Sequence, residues 1–310
     1  MSRDVSNVIP PDLIGEVDRV IKQGLAEDIG AGDITSLACF SEETQATGLF
    51  VAKADGVAAG LAVAERVFAH VDPGIIISWN VRDGARVEAG QNIGTVAGDA
   101  RGALAAERLA LNLMQRMSGI ASATAALVAL SHPTRVLDTR KTAPGLRHLD
   151  KWAVRLGGGE NHRTGLFDMV LIKDNHIAAA GGISAAMKAT RDYLAERDDE
   201  IAVEIEVRTL EELAEALETD AAIRETDGRG ILNRILLDNM AHLQPDGSVD
   251  TSLLHQAVTM IGGSVETEAS GMITAEAAAA VAAAGVTYLS SGALTHSVRA
   301  LDISLKIDLV

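Results

Sequence analysis

Between Arg135 and Ser290 the chain repeats one pattern six times: a short apolar run, a polar or charged junction, then a stretch with helical spacing of its apolar residues. The apolar runs lie near Arg135–Asp138, Met169–Ile172, Val203–Val207, Ile235–Asp238, Ser264–Thr267 and Thr287–Ser290. Helical stretches begin near Gly145, Ile183, Thr209, Thr251 and Ile273. Short strands separated by amphipathic helices pair in parallel through right-handed crossovers, which lay the helices over the sheet. The pattern therefore predicts an α/β fold, as either an incomplete parallel (β/α) barrel or an open doubly wound sheet.

The preceding hundred or so residues read differently. An apolar-periodic helix, Leu13 to Leu25, leads into the turn-rich EDIGAGDITS and then into the β-like runs ATGLFVAKA and IIISWNV. The stretch from Asp83 to Val96, DGARVEAGQNIGTV, has the spacing of the hairpin in lipoyl and biotinyl carrier domains, but no lysine lies between Arg82 and Arg101 to be modified. A structural hairpin is expected there. From Arg101 to Leu130 the chain reads as one long apolar helix, with Arg108, Asn112 and Gln115 forming a polar stripe. The expected division is an amino-terminal region over residues 1–115, the repeating α/β region over 116–290 and a terminal segment over 291–310. A chain of 310 residues is long enough for both parts to bury their own cores.

Composition removes several function classes. A single cysteine, Cys39, excludes an internal disulfide and a Cys-rich zinc module. With 27 Lys and Arg against 43 Asp and Glu, the formal charge is −16, and aromatics are 3% of residues. Such a surface repels nucleic acid and anionic lipid and offers few stacking platforms. MSRDVSNVIPPDLIGEV has no basic region followed by an apolar run, and AEAAAAVAAAGV is too short and alanine-rich to span a bilayer, so neither a signal peptide nor a membrane anchor is expected. A cytoplasmic location is the expectation. The charge is uneven, however: Arg135 to His176 carries eight Lys and Arg against five acids. That local excess suits either a pocket for a small, multiply charged anion or an ordinary solvated face.

Every predicted strand closes on ionic or phosphate-friendly residues: Asp138-Thr139-Arg140-Lys141, Lys173-Asp174-Asn175-His176, Glu206, Asp238-Asn239, Glu268 to Gly271, and Ser290-Ser291-Gly292. In parallel α/β folds the carboxyl ends of strands converge on the active site. Glu206 and Asp238, from successive strands, offer two oxygens to a hard cation such as Mg²⁺. They could equally stabilise a developing positive charge, or pair with Lys141 and Lys173. Ser270–Met272 and Ser290–Ala293 are small-residue turns, each expected to open a helix and cradle phosphate. GGGENHR, Gly157 to Arg163, delivers His162 and Arg163 on a glycine-rich stretch, or is a helix cap followed by a loop.

ERLALNLMQRMSGIAS, DTRKTAPGLR, GGGENHRTGLFDMVLIKDNH, EIEV, LLDNM, EASG and GALTHS stand in the order and spacing of quinolinate phosphoribosyltransferases. The resemblance runs from LAEDIGAGDITS to LDISLKI, nearly the whole chain. It implies an amino-terminal α/β sandwich plus an incomplete α/β barrel, with a final segment returning to the first domain. It also implies a homodimer, sometimes a hexamer, with active sites shared between subunits. The implied reaction joins quinolinate and phosphoribosyl pyrophosphate with Mg²⁺, giving nicotinate mononucleotide, pyrophosphate and CO₂ in NAD biosynthesis. By motif match, Thr139, Arg140, Lys141, His162 and Arg163 are expected at quinolinate. Arg108 is expected in the partner's pocket, and Lys173 on the pyrophosphate side. Glu206 and Asp238 match an acidic pair near ribose and metal, with Lys141 joining them as catalytic. Ser270, Gly271, Met272, Ser291, Gly292 and Ala293 match a 5′-phosphate cradle, although Met272 stands where relatives commonly carry a second glycine. The alternatives left open are a ModD-type transferase acting on another heterocycle and a non-catalytic anion-binding protein of the same fold.

Overall fold

A computed structural model of the chain describes residues 7–197, 200–271 and 273–310. Its contacts divide it into two units: residues 1–125, 141–159 and 293–310 form the first, and 126–140 with 160–292 the second. Residues 141–159, inside the range expected for the barrel, thus pack with the first unit. The reason is visible in the helix Arg147–Leu156, whose Leu149, Trp152, Ala153 and Val154 are buried in the first unit's core. Residues 116–125 stay there too, because helix Ala100–Ser131 runs unbroken past the expected boundary.

The first unit carries one antiparallel sheet built from β1 (Gln45–Ala52), β2 (Ile76–Trp79), β3 (Asn92–Asp99) and a last strand, Ile303–Leu309. The last strand pairs with β1, from Ala46 opposite Leu309 to Ala52 opposite Ile303, and β3 lies between β1 and β2. β1 alternates exposed and buried residues over most of its length, the signature of a sheet with one covered face. Phe50 from that buried face meets Phe68 edge-on and Trp79 with ring centroids 4.9 Å apart. The expected hairpin within Asp83–Val96 does not form. Arg86–Val87 pairs instead with Gly56–Val57, and β3 takes β2 as its hairpin partner across a longer loop.

Helix Ala100–Ser131 is long and apolar enough to cross a membrane by length and composition, a candidate that the alanine-run argument overlooked; half of its most apolar stretch is buried inside the protein. It carries Arg116, whose Nε and Nη2 each donate to Asp150 at 2.8 Å, while Nη2 also reaches the Thr295 carbonyl at 3.2 Å. Asp150 is fully buried. A buried carboxylate is stable in its charged form only with such a bidentate partner.

The second unit is a six-stranded, all-parallel sheet. Its strands are β4 (Arg135–Leu137), β5 (Val170–Ile172), β6 (Val203–Val207), β7 (Arg234–Asp238), β8 (Glu266–Ser270) and β9 (Tyr288–Ser290), and the first unit's last strand is β10. Neighbours run β4-β9-β8-β7-β6-β5, so sequential order goes round the sheet with a single break between β4 and β5. That is an incomplete α/β barrel, open at one seam. Helices 183–195, 210–227, 252–261 and 275–283 follow their strands as the periodicity predicts. β8 lies about a half-turn of sequence later than expected, ending at Ser270 rather than Thr267, which moves Glu268 from a strand end into the sheet. Replacing Arg116 by Ala strands Asp150 in the core of the first unit and should cost about 3–5 kcal/mol. Urea unfolding checks this, and an unchanged midpoint would show the pair to be dispensable.

Candidate active site

The seam fixes the first part of the site. Glu160 N donates to the Val136 carbonyl at 2.8 Å and Asp138 N to the Glu160 carbonyl at 3.2 Å, so Glu160 runs alongside β4 in place of a missing strand. Asp138, expected among exposed strand-end residues, is fully buried. Its two oxygens accept from His162 N at 2.9 Å and Asn161 Nδ2 at 2.7 Å. The NHR segment is therefore held by a buried carboxylate at the end of β4.

His162 is buried and turns its ring into the barrel. Its Nε2 lies 2.9 Å from Glu204 and 3.4 Å from Glu268, while Nδ1 accepts the Arg163 N–H at 2.7 Å. Burial by itself would lower its pKa, but the bonds and charges of Glu204 and Glu268 outweigh that and push it up to about 9. Nε2 keeps its proton between the carboxylates in either charge state, whereas Nδ1 can accept the Arg163 N–H only in the neutral ring, so the Arg163 contact opposes the protonation that the carboxylates favour. Burial, then the charge of Glu268, raises Glu204. Burial opposes ionisation of Glu268 as well, yet His162, Ser290 and Arg234 hold it below the usual value. Arg234 donates to Glu268 at 3.0 Å and stacks on the Tyr288 ring at 4.1 Å, with Arg135 at 4.0 Å from the same ring. His162, Glu204 and Glu268 bring ligand atoms within 4.8 Å of one another. The Arg234 charge on Glu268 makes this an ion-pair cluster unsuited to a metal.

The rim of the barrel is built differently. Burial first, then the neighbouring charge of Arg140, holds the Arg163 guanidinium below its usual value, so two cations stand close together at this rim. Arg163 Nη1 is anchored on the Met169 carbonyl at 3.2 Å, and Thr139 and Arg140 are half-buried at the end of β4. Across the sheet, the Lys173 ammonium bonds Glu206 Oε2. Arg208 Nη2 reaches Glu206 Oε1 at 3.0 Å and its Nε reaches Asp238 Oδ2 at 3.2 Å. Glu206 is thus joined by Lys173, as expected, and Asp238 by a residue the sequence reading passed over.

Beyond β7, Asn239 adopts φ 53° and donates its N–H to the Ser270 carbonyl at 2.8 Å. Gly271 has φ +97°, and a Cβ there would stand 2.2 Å from Asn239 Oδ1. Only glycine fits that turn. Met272 lies outside the described residues.

The expected site residues stand in varied surroundings. Both ring nitrogens of His162 meet protein groups, Nε2 the Glu204 and Glu268 carboxyls and Nδ1 the Arg163 nitrogen. Ser291 is buried with its hydroxyl donating to the Ile273 carbonyl at 3.1 Å, a structural tie between β9 and the turn after β8. The turn at Ser270 does not itself open a helix; Thr274 caps Ala275–Ala283. Gly292 is half-buried, and Ala293 starts a four-residue helix in the first unit. Lys141 and Arg108 are exposed residues of the first unit. Of the eight basic residues between 135 and 176, Lys141, Arg147, Lys151 and Arg155 belong to the first unit and Arg135, Arg140, Arg163 and Lys173 to the second. Within Gly157–Arg163, Gly157 caps the helix and Gly158 takes the left-handed turn.

An open α/β barrel with cations at one strand end and a neutralised carboxylate pair at others defines an enzyme for polyanionic substrates. The sequence pattern described as "Quinolinate phosphoribosyl transferase, N-terminal domain" matches residues 33–118, and that of the C-terminal domain matches residues 120–306. The chain is 50% identical over 294 residues to quinolinate phosphoribosyltransferase [decarboxylating] 2b, mitochondrial, of Nicotiana tabacum, covering 94% of this chain and 82% of that protein. It is 51% identical over 294 residues to the chloroplastic nicotinate-nucleotide pyrophosphorylase [carboxylating] of Arabidopsis thaliana, covering 94% and 83%. The crystal structure of NadC from Streptococcus pyogenes superposes with a TM-score of 0.86 at 36% identity, covering 98% of this chain and 100% of that one. The chain belongs to the quinolinate phosphoribosyltransferase family. The mitochondrial and chloroplastic plant relatives overturn the expectation of a cytoplasmic location, which rested on the lack of a recognisable leader.

The His162 cluster sets a pH dependence. Its folded pKa of about 9 lies above the ordinary 6.5, so its contribution to stability is complete below pH 6.5 and is lost as pH rises through 9. The melting temperature should fall across that window in the parent protein, and His162→Gln should flatten the slope. A parallel pH profile in both would show the imidazole to be neutral throughout.

Proposed function

We infer that this chain transfers a phosphoribosyl group from phosphoribosyl pyrophosphate to quinolinate with loss of CO₂, yielding nicotinate mononucleotide and pyrophosphate in NAD biosynthesis. The observation that carries the reading is the apposition of Arg140 and Arg163 at one barrel rim with the Glu206–Asp238 pair at other strand ends of the same sheet, in a family member.

The cation pair suits a dicarboxylate, since each guanidinium offers a fork to a carboxylate. By the family's motifs, Lys141 is assigned to the same substrate. Glu206 and Asp238 fit a divalent cation: both donors are hard oxygens, and one cationic group already reaches both. When bound there, Mg²⁺ supplies charge to neutralise the pyrophosphate leaving group. Lys173, beside Glu206, is placed to hold the departing phosphates. As the bond from the ribose C1 to pyrophosphate breaks, positive charge grows on the sugar, and Glu206 and Asp238 stabilise it once bound substrate has displaced water from the strand ends. The pyridine nitrogen forms the new bond to C1 and acquires a positive charge. The C2 carboxylate then leaves as CO₂, its bonding electrons drawn toward the ring cation, and C2 takes up a proton. Arg140 and Arg163 hold the dicarboxylate in register through these steps, and no covalent protein intermediate is needed. Ser270 and Gly271 supply the phosphate turn, shaped by Asn239.

Purified protein supplied with phosphoribosyl pyrophosphate and Mg²⁺ should form product and CO₂ from quinolinate and none from nicotinate. Chelator should abolish the activity, with Mg²⁺ restoring it better than Zn²⁺. Arg163→Ala removes charge-assisted bonds of about 1.5–3 kcal/mol, so the quinolinate KM should rise about ten- to hundredfold with little change for phosphoribosyl pyrophosphate. Equal losses for both substrates would make Arg163 structural.

A homodimer with shared sites is part of the same reading. Support comes from Arg108, exposed on the long, predominantly apolar helix of the first unit. Arg108→Ala and Lys141→Ala proteins should each be nearly inactive. After subunit exchange, a mixed dimer gathers both lesions in one pocket and leaves the other intact, restoring activity. Demonstrated heterodimers without recovery would refute sharing.

A further inference from the structure

Three carboxylates stand at the carboxyl ends of consecutive strands: Asp174 after β5, Glu206 near the end of β6 and Asp238 closing β7. All three converge on one side chain. Arg208 Nη1 lies 3.1 Å from Asp174 Oδ2, Nη2 lies 3.0 Å from Glu206 Oε1, and Nε lies 3.2 Å from Asp238 Oδ2. Each nitrogen of the guanidinium is taken by a different acid. A lysine could not reproduce that planar fork.

The backbone beneath this contact is fixed. Arg208 N donates to Glu212 Oε2 at 2.6 Å, and Thr209, capping helix 210–227, accepts the Glu212 N–H at 3.1 Å. Val207 pairs with Leu237, which sets Arg208 beside Asp238 in register. The side chains differ sharply in access. Glu206 and Asp238 are 7% and 15% exposed, whereas Arg208 is 49% exposed on a flexible stem. Two largely buried acidic side chains on neighbouring strands are drawn together by a single counter-charge between them. Arg208 provides it without being buried itself. A divalent cation held by the pair would claim the same oxygens.

We propose that Arg208 is a positioning residue that acts as a built-in counter-cation. It holds the Glu206 and Asp238 carboxyl groups in place before substrate binds, then yields their oxygens to the divalent cation that arrives with phosphoribosyl pyrophosphate. This rests on the assignment of Glu206 and Asp238 to that cation. Two consequences follow from charge alone. The empty protein binds divalent cations weakly, because a cation arriving alone must displace a guanidinium that gains no new partner. A cation arriving with a polyphosphate brings that partner, so loading of cation and phosphoribosyl donor is coupled.

The test uses Mn²⁺ as the probe, with its binding to the whole protein followed by water-proton relaxation, which separates protein-bound ternary complexes from free Mn²⁺–phosphoribosyl pyrophosphate. Without phosphoribosyl pyrophosphate, Arg208→Gln should bind Mn²⁺ about tenfold tighter or more than the parent protein, as expected for removing a competing charge some 3 Å from the ligand oxygens. Adding Glu206→Gln to that variant should abolish the gain, and phosphoribosyl pyrophosphate should narrow the gap between Arg208→Gln and the parent. Arg208→Lys, which keeps the charge but not the fork, should fall between them and serves if Arg208→Gln does not fold. Equal Mn²⁺ affinity in the parent and the Arg208 variants, with Glu206→Gln still weakening the ternary complex, would overturn the role of Arg208 while leaving the metal assignment intact. Mn²⁺ binding that ignores Glu206→Gln with and without phosphoribosyl pyrophosphate would remove the metal assignment and this proposal together.

Discussion

A barrel with six strands leaves one edge of β4 without a strand partner, and the second unit is organised by how that edge is satisfied. Glu160 supplies backbone bonds to β4, and the buried Asp138 carboxylate fastens the two residues that follow. An ionised carboxylate sealed from water must be compensated by donors, and here the donors are His162 N and Asn161 Nδ2. The clamp consequently sets the direction in which the chain leaves the seam. His162 is turned inward and Arg163 toward the rim, where Arg140 already stands. The open sheet edge and the direction of Arg163 at the strand ends are thus set by one stretch, Glu160 to Arg163, and the Asp138 that holds it.

The interior cluster extends this logic. Most parallel barrels fill their centre with apolar layers, whereas this one links Glu204, His162, Glu268 and Arg234 there, with Arg234 also stacked on the Tyr288 ring. Such a network is seldom a source of stability over an apolar core, but removing one partner leaves a buried charge exposed to full desolvation. Its value lies in specificity of arrangement. The ring of His162 can sit in one orientation only, since Nε2 must meet two carboxylates while Nδ1 meets the Arg163 N–H.

Much of this was legible in the sequence, for identifiable reasons. Strand positions followed from apolar runs bounded by charge, and five of the six strand placements hold within a residue or two. The exception, β8, is a run of Glu, Thr, Glu, Ala and Ser whose polar residues disguise a strand buried on both faces. The supposed hairpin at Asp83–Val96 misled because turn chemistry reports a reversal of the chain and not which strand receives it. Lys173, Glu206 and Asp238 could be placed at strand ends from the sequence because strand-end charge is a local signal. Arg208, Asn239 and Asp138 were missed or misread because their roles depend on partners far away in sequence. A signal for the buried cluster did exist: Glu204 and Glu206 alternate with Val203, Ile205 and Val207, which puts both acids on the inward face of one strand.

That pair also shows how one residue type is given two tasks. Glu204 and Glu206 lie two residues apart on β6, roughly 6.6 Å along the strand, and point the same way. The deeper one is fully enclosed, raised by burial, and compensated by an imidazole that cannot leave. The shallower one meets a lysine and an arginine whose side chains are 42% and 49% exposed and therefore free to move. Low dielectric below and solvent above make the first ion pair permanent and the second exchangeable. A site that must accept and release a polyphosphate with every turnover requires the exchangeable kind at its rim, and the permanent kind beneath it keeps the rim's geometry from changing as charges come and go.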